Sequence, residues 1–235
     1  MPKISVLLPV KNGEKYIAES LESILSQTFN DFEILIFDDA STDCTIKIIE
    51  NFQDPRIKLF IEKEGFISNL NQGIELSDSP YIARMDADDI MNPVRLAVQL
   101  LRMETLNIDL CASWLMAFGE DLDPCVIYHT NSGILKDPLK RLIKGNIIAH
   151  PSVMLKKEFL IKNNLRYQNY PYAEDYKLWF EIAKRNGVFF VEPRTLLSYR
   201  VSKDQATIIH QKQMKEQTER IKQEIYLYLE GNNVG

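Results

Sequence analysis

The segment ISVLLPV, residues Ile4–Val10, is an almost uninterrupted run of apolar side chains. Such a run is typical of a strand in a parallel sheet that helices cover on both faces. The residues Ile17–Leu25 follow with a helical period that places their apolar side chains on one face. A second apolar run, Phe32–Phe37, predicts a second buried strand. The chain therefore opens with the β-α-β pattern of an open α/β sheet.

The same alternation continues to about residue 105, and ligands of such sheets bind beyond the carboxyl ends of the strands. Ser41 or Asp43 is expected to cap the second helix. The remaining elements of this part are predicted as helices over Cys44–Phe52, over Ile67–Leu76 and from Pro93 to Glu104, and as strands at Ile57–Ile61 and Tyr81–Met85.

After residue 105 the alternation becomes less regular, and the tail from Asp204 to Glu230 is polar and favours a helix. The chain is interpreted as one domain of residues 1–235. The elements of this second part are predicted as strands at Leu110–Phe118, Ser152–Leu155, Val188–Val191 and Leu196–Tyr199, and as helices at Pro138–Lys144 and Ala173–Arg185.

Bulk properties exclude several classes of protein. A chain of 235 residues that is 45% hydrophobic is long enough for one core. A net charge of -5 argues against a nucleic-acid partner. Three cysteines without a CxxC pair indicate a reducing compartment, and there is neither a long apolar run nor an N-terminal signal pattern. These features predict a cytoplasmic location.

The segment MDADD, residues Met85–Asp89, places three carboxylates directly after a predicted buried strand. Like charges this close repel each other unless a cation or strong donors lie among them. Carboxylate oxygens suit Mg²⁺ or Mn²⁺, which also bind phosphate oxygens. A solvated turn that caps the next helix is the alternative. The segment FDDASTD, residues Phe37–Asp43, supports the metal site, because it puts a second acidic pair at another strand end.

Four segments in this order resemble family 2 glycosyltransferases of the GT-A fold: residues 4–43, LNQGIELSDSPYIARMDADD, HPSVMLKKEF and AEDYKLWFEIA. The likeness extends from about Pro2 to Arg200. It implies a GT-A fold, an open, mostly parallel sheet flanked by helices. Residues 1–105 would bind a nucleoside-diphosphate sugar, residues 106–203 would bind the acceptor, and residues 204–235 would form a helical tail.

The resemblance also assigns site residues. Asp39 would contact the nucleobase, Asp88 would hold a divalent cation, Mn²⁺ or Mg²⁺, and Asp86 would face the ribose or the sugar. The whole set implied for nucleotide-sugar binding is Pro9, Lys11, Asn12, Asp39, Asn71, Arg84, Asp86, Ala87 and Asp88.

Asp175 matches the catalytic base of the family, which removes the proton of the acceptor hydroxyl during inverting transfer. Acids at a helix start are also favoured by the helix dipole, which is the structural alternative for Glu174 and Asp175. His150 matches a family position near the acceptor, and a buried or edge histidine is the alternative. Glu174 is interpreted as a structural or acceptor-contacting partner of Asp175. Ser202 replaces a histidine that often lies near the diphosphate, which leaves Arg200 and Lys203 as substitutes.

The resemblance implies a bacterial enzyme of surface-glycan synthesis with a saccharide or lipid-linked saccharide acceptor. The QxxRW motif of processive polymer synthases is absent from the sequence, so we expect transfer of one sugar. The segment Lys136–Arg166 contains eight basic and two acidic residues. It is interpreted either as a solvated surface or as a peripheral membrane contact. The polar tail is also a candidate for homodimer formation.

Two other functions are alternatives to sugar transfer. A sugar-nucleotide pyrophosphorylase needs a glycine-rich loop with Arg and Lys after the first strand, and PVKNGEKY has a single glycine. A degenerate relative that binds nucleotide without transfer is expected to lose the DxD motif or the base, and the sequence retains both.

Overall fold

The computed structural model describes residues 1–61, 63–119, 122–127, 132–202 and 209–232. Within them, ten strands form one mixed sheet with helices on both faces. The strands are β1 (Ile4–Val10), β2 (Phe32–Asp38), β3 (Ile57–Ile61), β4 (Tyr81–Arg84), β5 (Ile90–Met91), β6 (Leu110–Gly119), β7 (Leu122–Ile127), β8 (Gly133–Ile134), β9 (Met154–Lys156) and β10 (Phe189–Arg200). The α-helices are α1 (Ile17–Leu25), α2 (Thr45–Glu50), α3 (Phe66–Leu76), α4 (Arg95–Leu106), α5 (Pro138–Leu142), α6 (Lys157–Lys162), α7 (Glu174–Lys184) and α8 (Gln211–Asn232).

The sheet has the order β3-β2-β1-β4-β9-β6-β10-β5, with β7 paired to β6 and β8 paired to β10. The strands β3, β2, β1 and β4 are parallel, whereas β9 is antiparallel to both β4 and β6. The predicted α/β architecture is confirmed. The second part of the chain does not form a separate sheet, because β9 extends the parallel part directly.

Strand β1 is buried on both faces, as its composition predicts. Leu7 packs in one core with Leu35 and Phe37 of β2, whereas Val6 and Leu8 pack in the core on the opposite face. This alternation follows from the two-residue period of a strand. Because β1, β2 and β4 are parallel neighbours, their carboxyl ends lie at the same edge of the sheet.

Several predicted boundaries differ from the structure. Val188–Val191 and Leu196–Tyr199 belong to one strand, β10, whose pairing with β6 shifts register between Glu192 and Leu197. Exposed Pro193 lies at this irregularity, where a strand tolerates a missing N–H. The predicted strand Ser152–Leu155 is a 3-10 turn followed by β9.

Other differences concern helix starts and short elements. Helix α4 begins at Arg95, two residues after Pro93. Asp43, and not Ser41, accepts the N–H of Thr45 at the start of α2, with an N···O distance of 3.0 Å. The elements β5, β7, β8 and α6 were not predicted from the sequence. Strands β5 and β8 have two residues each, helix α6 has only six, and Pro124 interrupts the apolar pattern of β7.

The tail forms helix α8, while residues 203–208 and 233–235 lie outside the described residues. Ile221 and Ile225 are fully buried against the core that also contains the apolar face of α7. Lys177 of α7 is nearly buried and pairs with Glu224 of α8 and, at 2.9 Å, with Glu181. Helix α8 is therefore packed on α7. No helix among the described residues is long and apolar enough to cross a bilayer.

Candidate active site

A cleft of about 980 Å³ lies beyond the carboxyl ends of β1, β2 and β4 and reaches the N-terminus of α7. It contains Asp39, Asp88 and Asp175, which come from three distant segments. Most of the residues that the resemblance assigned line this cleft: Pro9, Lys11, Asn12, Asp39, Arg84, Asp86, Ala87, Asp88, His150, Glu174 and Asp175.

The acidic pair at the end of β2 has two different roles. Asp38 points into the protein, is fully buried, and accepts the N–H of Ser41 at 2.8 Å. Asp39 faces the cleft, where it accepts hydrogen bonds from Lys11 Nζ at 2.9 Å and from the N–H of Gly65 at 3.1 Å. Only Asp39 is thus placed to contact a ligand.

The loop after β1 is held by the loop after β2. Asn12 has a left-handed backbone with a φ of 51°, and its Oδ1 accepts the N–H of Thr42 at 2.8 Å. The N–H of Asn12 donates to Ser41 Oγ at 2.7 Å. Asp43 and Glu14 add further bonds between the two loops. These bonds fix the wall of the cleft that carries Pro9 and Lys11.

Asp86, Asp88 and Asp89 form a cluster in which a carboxylate oxygen of each lies within 4.8 Å of the others. Asp89 is fully buried; its Oδ1 accepts the N–H of Arg200 at 2.9 Å, and its Oδ2 has no partner among the described residues. Burial is the main cause that raises the pKa of Asp88 to about 6, and the negative charge of Asp86 is the second. A divalent cation would remove this repulsion, so the residues present suit Mn²⁺ or Mg²⁺.

Arg84 is the buried cation of the site. Its Nη2 lies 2.5 Å from Asp86 Oδ1, and its Cζ lies 5.6 Å from the centre of the Phe66 ring. Its Nε and Nη1 have no partner among the described residues. Through its ion pair with Asp86, Arg84 offsets part of the negative charge of the aspartate cluster.

Glu174 and Asp175 form a carboxylate pair at the start of α7. The pKa of Glu174 is raised to about 7, mainly by burial and secondly by the negative charge of Asp175. Burial also raises the pKa of Asp175, although hydrogen bonds from Asn146 and Tyr176 oppose this effect. Asp175 Oδ2 lies 2.7 Å from Asn146 Nδ2. One wall of the cleft thus carries a carboxylate of increased basicity that is held in place.

His150 lines the same cleft, with its Nε2 2.8 Å from the hydroxyl of Tyr167. Its ring contacts Phe66 and Trp179 edge-on, at centroid distances of 6.4 and 6.0 Å. Burial and the charge of Arg84 lower the pKa of His150 well below its ordinary value. The imidazole is therefore neutral at physiological pH.

Two of the assigned residues do not line the cleft. The amide of Asn71 bonds both backbone groups of Tyr167, each at 2.9 Å. Arg200 stacks on Tyr16 and donates its Nε–H to the carbonyl of Asp88 at 2.8 Å, so it holds the backbone of the aspartate cluster. Direct ligand contacts of both residues stay predictions, and Lys203 lies outside the described residues.

Several cleft residues were not found from the sequence. Asn146 donates a hydrogen bond to Asp175, which is 29 residues later in the chain, and no local sequence pattern predicts such a pair. Asn69 is a polar residue on the buried face of α3, and this is the one signal that could have identified it. Tyr172, at the rim, stacks on His210 with ring centroids 4.3 Å apart.

The open sheet and the acid-lined cleft beyond its strand ends match the glycosyltransferase of the GT-A fold that the resemblance implies. The chain belongs to glycosyl transferase family 2, whose family model matches residues 5–164. An uncharacterized glycosyltransferase of Haemophilus influenzae is 32% identical over 97% of this chain and 74% of its own length. One from Methanocaldococcus jannaschii is 33% identical over 85% of this chain and 71% of its own length.

Solved structures share the fold at low sequence identity. S. aureus TarS residues 1–349, in complex with UDP-GlcNAc, has a TM-score of 0.74 and 20% identity. The mannosyltransferase PcManGT from Pyrobaculum calidifontis, in complex with GDP-Man and Mn²⁺, has a TM-score of 0.67 and 18% identity. Each match covers 86% of this chain and about three-fifths of the other, 60% and 58% respectively.

Proposed function

We propose that the chain transfers a single sugar, with inversion, from a nucleoside-diphosphate sugar to an acceptor hydroxyl. The observation that carries this proposal is that Asp39, the aspartate cluster and Asp175 line one cleft. Residues 1–105 supply the donor side and residues 106–203 the acceptor side. The complexes of TarS with UDP-GlcNAc and of PcManGT with GDP-Man support a nucleotide sugar as the donor. We favour a UDP-sugar, because the UDP-GlcNAc complex is the more similar in structure.

Asp175 is the proposed catalytic base. In inverting transfer the acceptor oxygen attacks the anomeric carbon from the face opposite the phosphate, its proton passes to the base, and the bond to the diphosphate breaks. Asn146 and the N–H of Tyr176 fix the two oxygens of Asp175, and burial makes the carboxylate a better proton acceptor. Glu174 lies beside it as an acceptor-contacting partner.

Asp88, with Asp86 and Asp89 beside it, is proposed to hold Mn²⁺ or Mg²⁺. A bound divalent cation would neutralise charge on the leaving diphosphate. PcManGT was solved with Mn²⁺, which supports this cofactor class. Asp39 and the fixed loop that carries Pro9, Lys11 and Asn12 would hold the nucleoside.

Calorimetry with UDP, in the presence and absence of Mn²⁺, tests the donor side directly. We expect binding that depends on the metal, followed by transfer when a screen of UDP-, GDP- and dTDP-sugars identifies the donor. Binding without transfer to any acceptor would support the degenerate relative instead. Absence of binding to every nucleotide tested would contradict the proposed function.

The acceptor is proposed to be a saccharide, free or lipid-linked, in surface-glycan synthesis. A basic and apolar surface supports peripheral contact with a membrane that carries such an acceptor. Tyr226 and Leu227 of α8 are 53% and 66% exposed, and they line a shallow groove with Ile143. Exposed Lys144 directly follows Ile143 in the chain, and exposed Lys140 precedes Ile143 by three residues. This combination favours an anionic bilayer.

Sedimentation with phosphatidylserine vesicles tests the membrane contact. Binding should weaken as salt increases, and it should be lost in a Lys140→Glu, Lys144→Glu variant but retained in a Lys212→Glu, Lys215→Glu control. Binding that is absent or insensitive to salt would exclude this surface. A homodimer through α8 is the alternative use of Tyr226 and Leu227, since Ile221 and Ile225 pack within the chain.

A further inference from the structure

Two buried polar side chains of the cleft carry atoms that lack hydrogen-bond partners among the described residues. Asn69 of α3 is fully buried, and neither its Oδ1 nor its Nδ2 has a partner. Arg84 at the end of β4 is 3% exposed, and its Nε and Nη1 also lack a hydrogen-bond partner among the described residues. Both residues line the cleft. Because an unsatisfied buried polar group is costly, such atoms mark a place where a ligand or water completes the bonding.

The two side chains belong to one part of the cleft. The Cζ of Arg84 lies 5.6 Å from the ring centre of Phe66, and Phe66 is one helical turn before Asn69 on α3. Arg84 also pairs with Asp86 and is close enough to Glu174 to interact with its charge. Arg84 is therefore in contact with the aspartate cluster and close to the carboxylate pair, and the helix that carries Asn69 packs Phe66 against it.

We infer that Asn69, together with Arg84, binds the sugar moiety of the donor, and that Asn69 determines which sugar is accepted. The inference rests on the proposed function. A diphosphate at the aspartate cluster and an acceptor hydroxyl at Asp175 would leave the transferred sugar between them, and Arg84 is close to both groups of carboxylates. An amide both donates and accepts, so it complements a hydroxyl or acetamido group, whereas a guanidinium only donates and complements sugar oxygens.

The alternative is that the Asn69 amide fills space only. The two roles differ in their effect on stability. Leucine has a similar shape and no polar atoms, so Asn69→Leu should stabilise the ligand-free protein by removing unsatisfied groups. If Asn69 binds the sugar, the same variant should lose affinity for the donor. A space-filling residue would not produce these two opposite changes.

The test is calorimetry in Mn²⁺ with UDP, UDP-glucose, UDP-galactose and UDP-GlcNAc. For the sugar that binds the wild type best, Asn69→Leu should raise the Kd about 5- to 100-fold, the range expected for one or two lost hydrogen bonds to a buried group. The Kd for UDP alone should change less than about twofold, and the thermal midpoint without ligand should rise by about 2–4 °C. Asn69→Ala should show the same loss of sugar affinity without the gain in stability.

Gln72→Leu is the matched control, since this amide is on the same helix, bonds Glu64 and does not line the cleft. It should leave the Kd values for UDP and for the UDP-sugar unchanged. An equal loss of affinity for UDP and the UDP-sugar in the Asn69 variants, or no loss for either, would overturn the inference while leaving the proposed function intact. If the wild type bound no UDP at all, the proposed function would fail and the inference with it.

Discussion

The side-chain amide of Asn146 donates a hydrogen bond of 2.7 Å to Oδ2 of Asp175. The N–H of Tyr176 donates to the other oxygen, Oδ1, at 2.6 Å. With both oxygens bonded, the carboxylate has a fixed orientation at the start of α7. This is the geometry that positioning of a general base requires.

Asp175→Asn should reduce transfer to a small residual rate and retain donor binding. The amide keeps the shape of the carboxylate but does not accept a proton at neutral pH, so turnover should fall by about 100- to 10,000-fold. Release of UDP in the presence of acceptor measures this change. Glu158→Gln is the control, because Glu158 is an exposed acid in the first turn of α6, outside the cleft. Full turnover in Asp175→Asn would show that another group is the base.

Asp88→Asn should weaken metal-dependent nucleotide binding by at least about tenfold, because it removes one anionic oxygen ligand from the cluster. Titration of UDP at several Mn²⁺ concentrations checks this, with Asp31→Asn as the control on the exposed surface. Equal Mn²⁺ dependence in the wild type and Asp88→Asn would place the metal elsewhere.

Glu174 should make the protein less stable as the pH rises. Its pKa is raised from 4.5 to about 7 by burial and by Asp175, so the folded state binds more protons than the unfolded state within this interval. The free energy of unfolding should therefore fall between pH 4.5 and 7. Glu174→Gln stays neutral and should gain roughly 1–3 kcal/mol relative to the wild type from pH 5 to pH 8. Urea unfolding at both values measures the difference, and a constant difference would refute a raised pKa.

Gly73→Ala should destabilise the protein, because α3 packs closely on β1 at this point. An added Cβ would lie 2.2 Å from Cδ1 of Leu7, which is itself fully buried. We expect a loss of about 1–3 kcal/mol. Gly231→Ala is the matched control, because nothing lies within 4 Å of its added Cβ and the residue is in the last turn of α8. Thermal unfolding should show a lower midpoint for Gly73→Ala and little change for Gly231→Ala.

Glu224→Gln should loosen α8. Burial raises the pKa of Glu224, but hydrogen bonds from Lys177 and Tyr170 outweigh this effect and leave it below its ordinary value. The interaction is therefore lost as the pH falls through the carboxylate range. Loss of the charge should cost about 1–3 kcal/mol, because Lys177 is buried. Hydrogen exchange in α8 should accelerate in this variant and stay unchanged in the exposed Glu216→Gln control.

The parallel part of the fold could be predicted because its strands are buried on both faces, and Ile4–Val10 therefore contains mainly apolar residues. The second part was harder. Pro193 interrupts the apolar pattern of β10, so the sequence predicts two strands. In the structure β10 is one strand, and its pairing with β6 shifts register near Pro193. Strand β9 is only three residues long, and its place between β4 and β6 depends on pairing with distant segments.

The site was predictable where acids follow strands, as at Asp39 and Asp88. The contacts that hold these acids were not, because they join distant segments: Asn146 to Asp175, and the N–H of Arg200 to Asp89. The resemblance assigned Asn71 to nucleotide-sugar binding, but its side-chain amide forms hydrogen bonds with the backbone of Tyr167.

The position of β9 between β4 and β6 has a consequence for engineering. A chimera that joins residues 1–105 of this chain to the remainder of a relative would replace the strand that pairs directly with β4. Exchange of donor preference between relatives should therefore proceed by substitutions within the cleft, because the two parts do not behave as interchangeable modules.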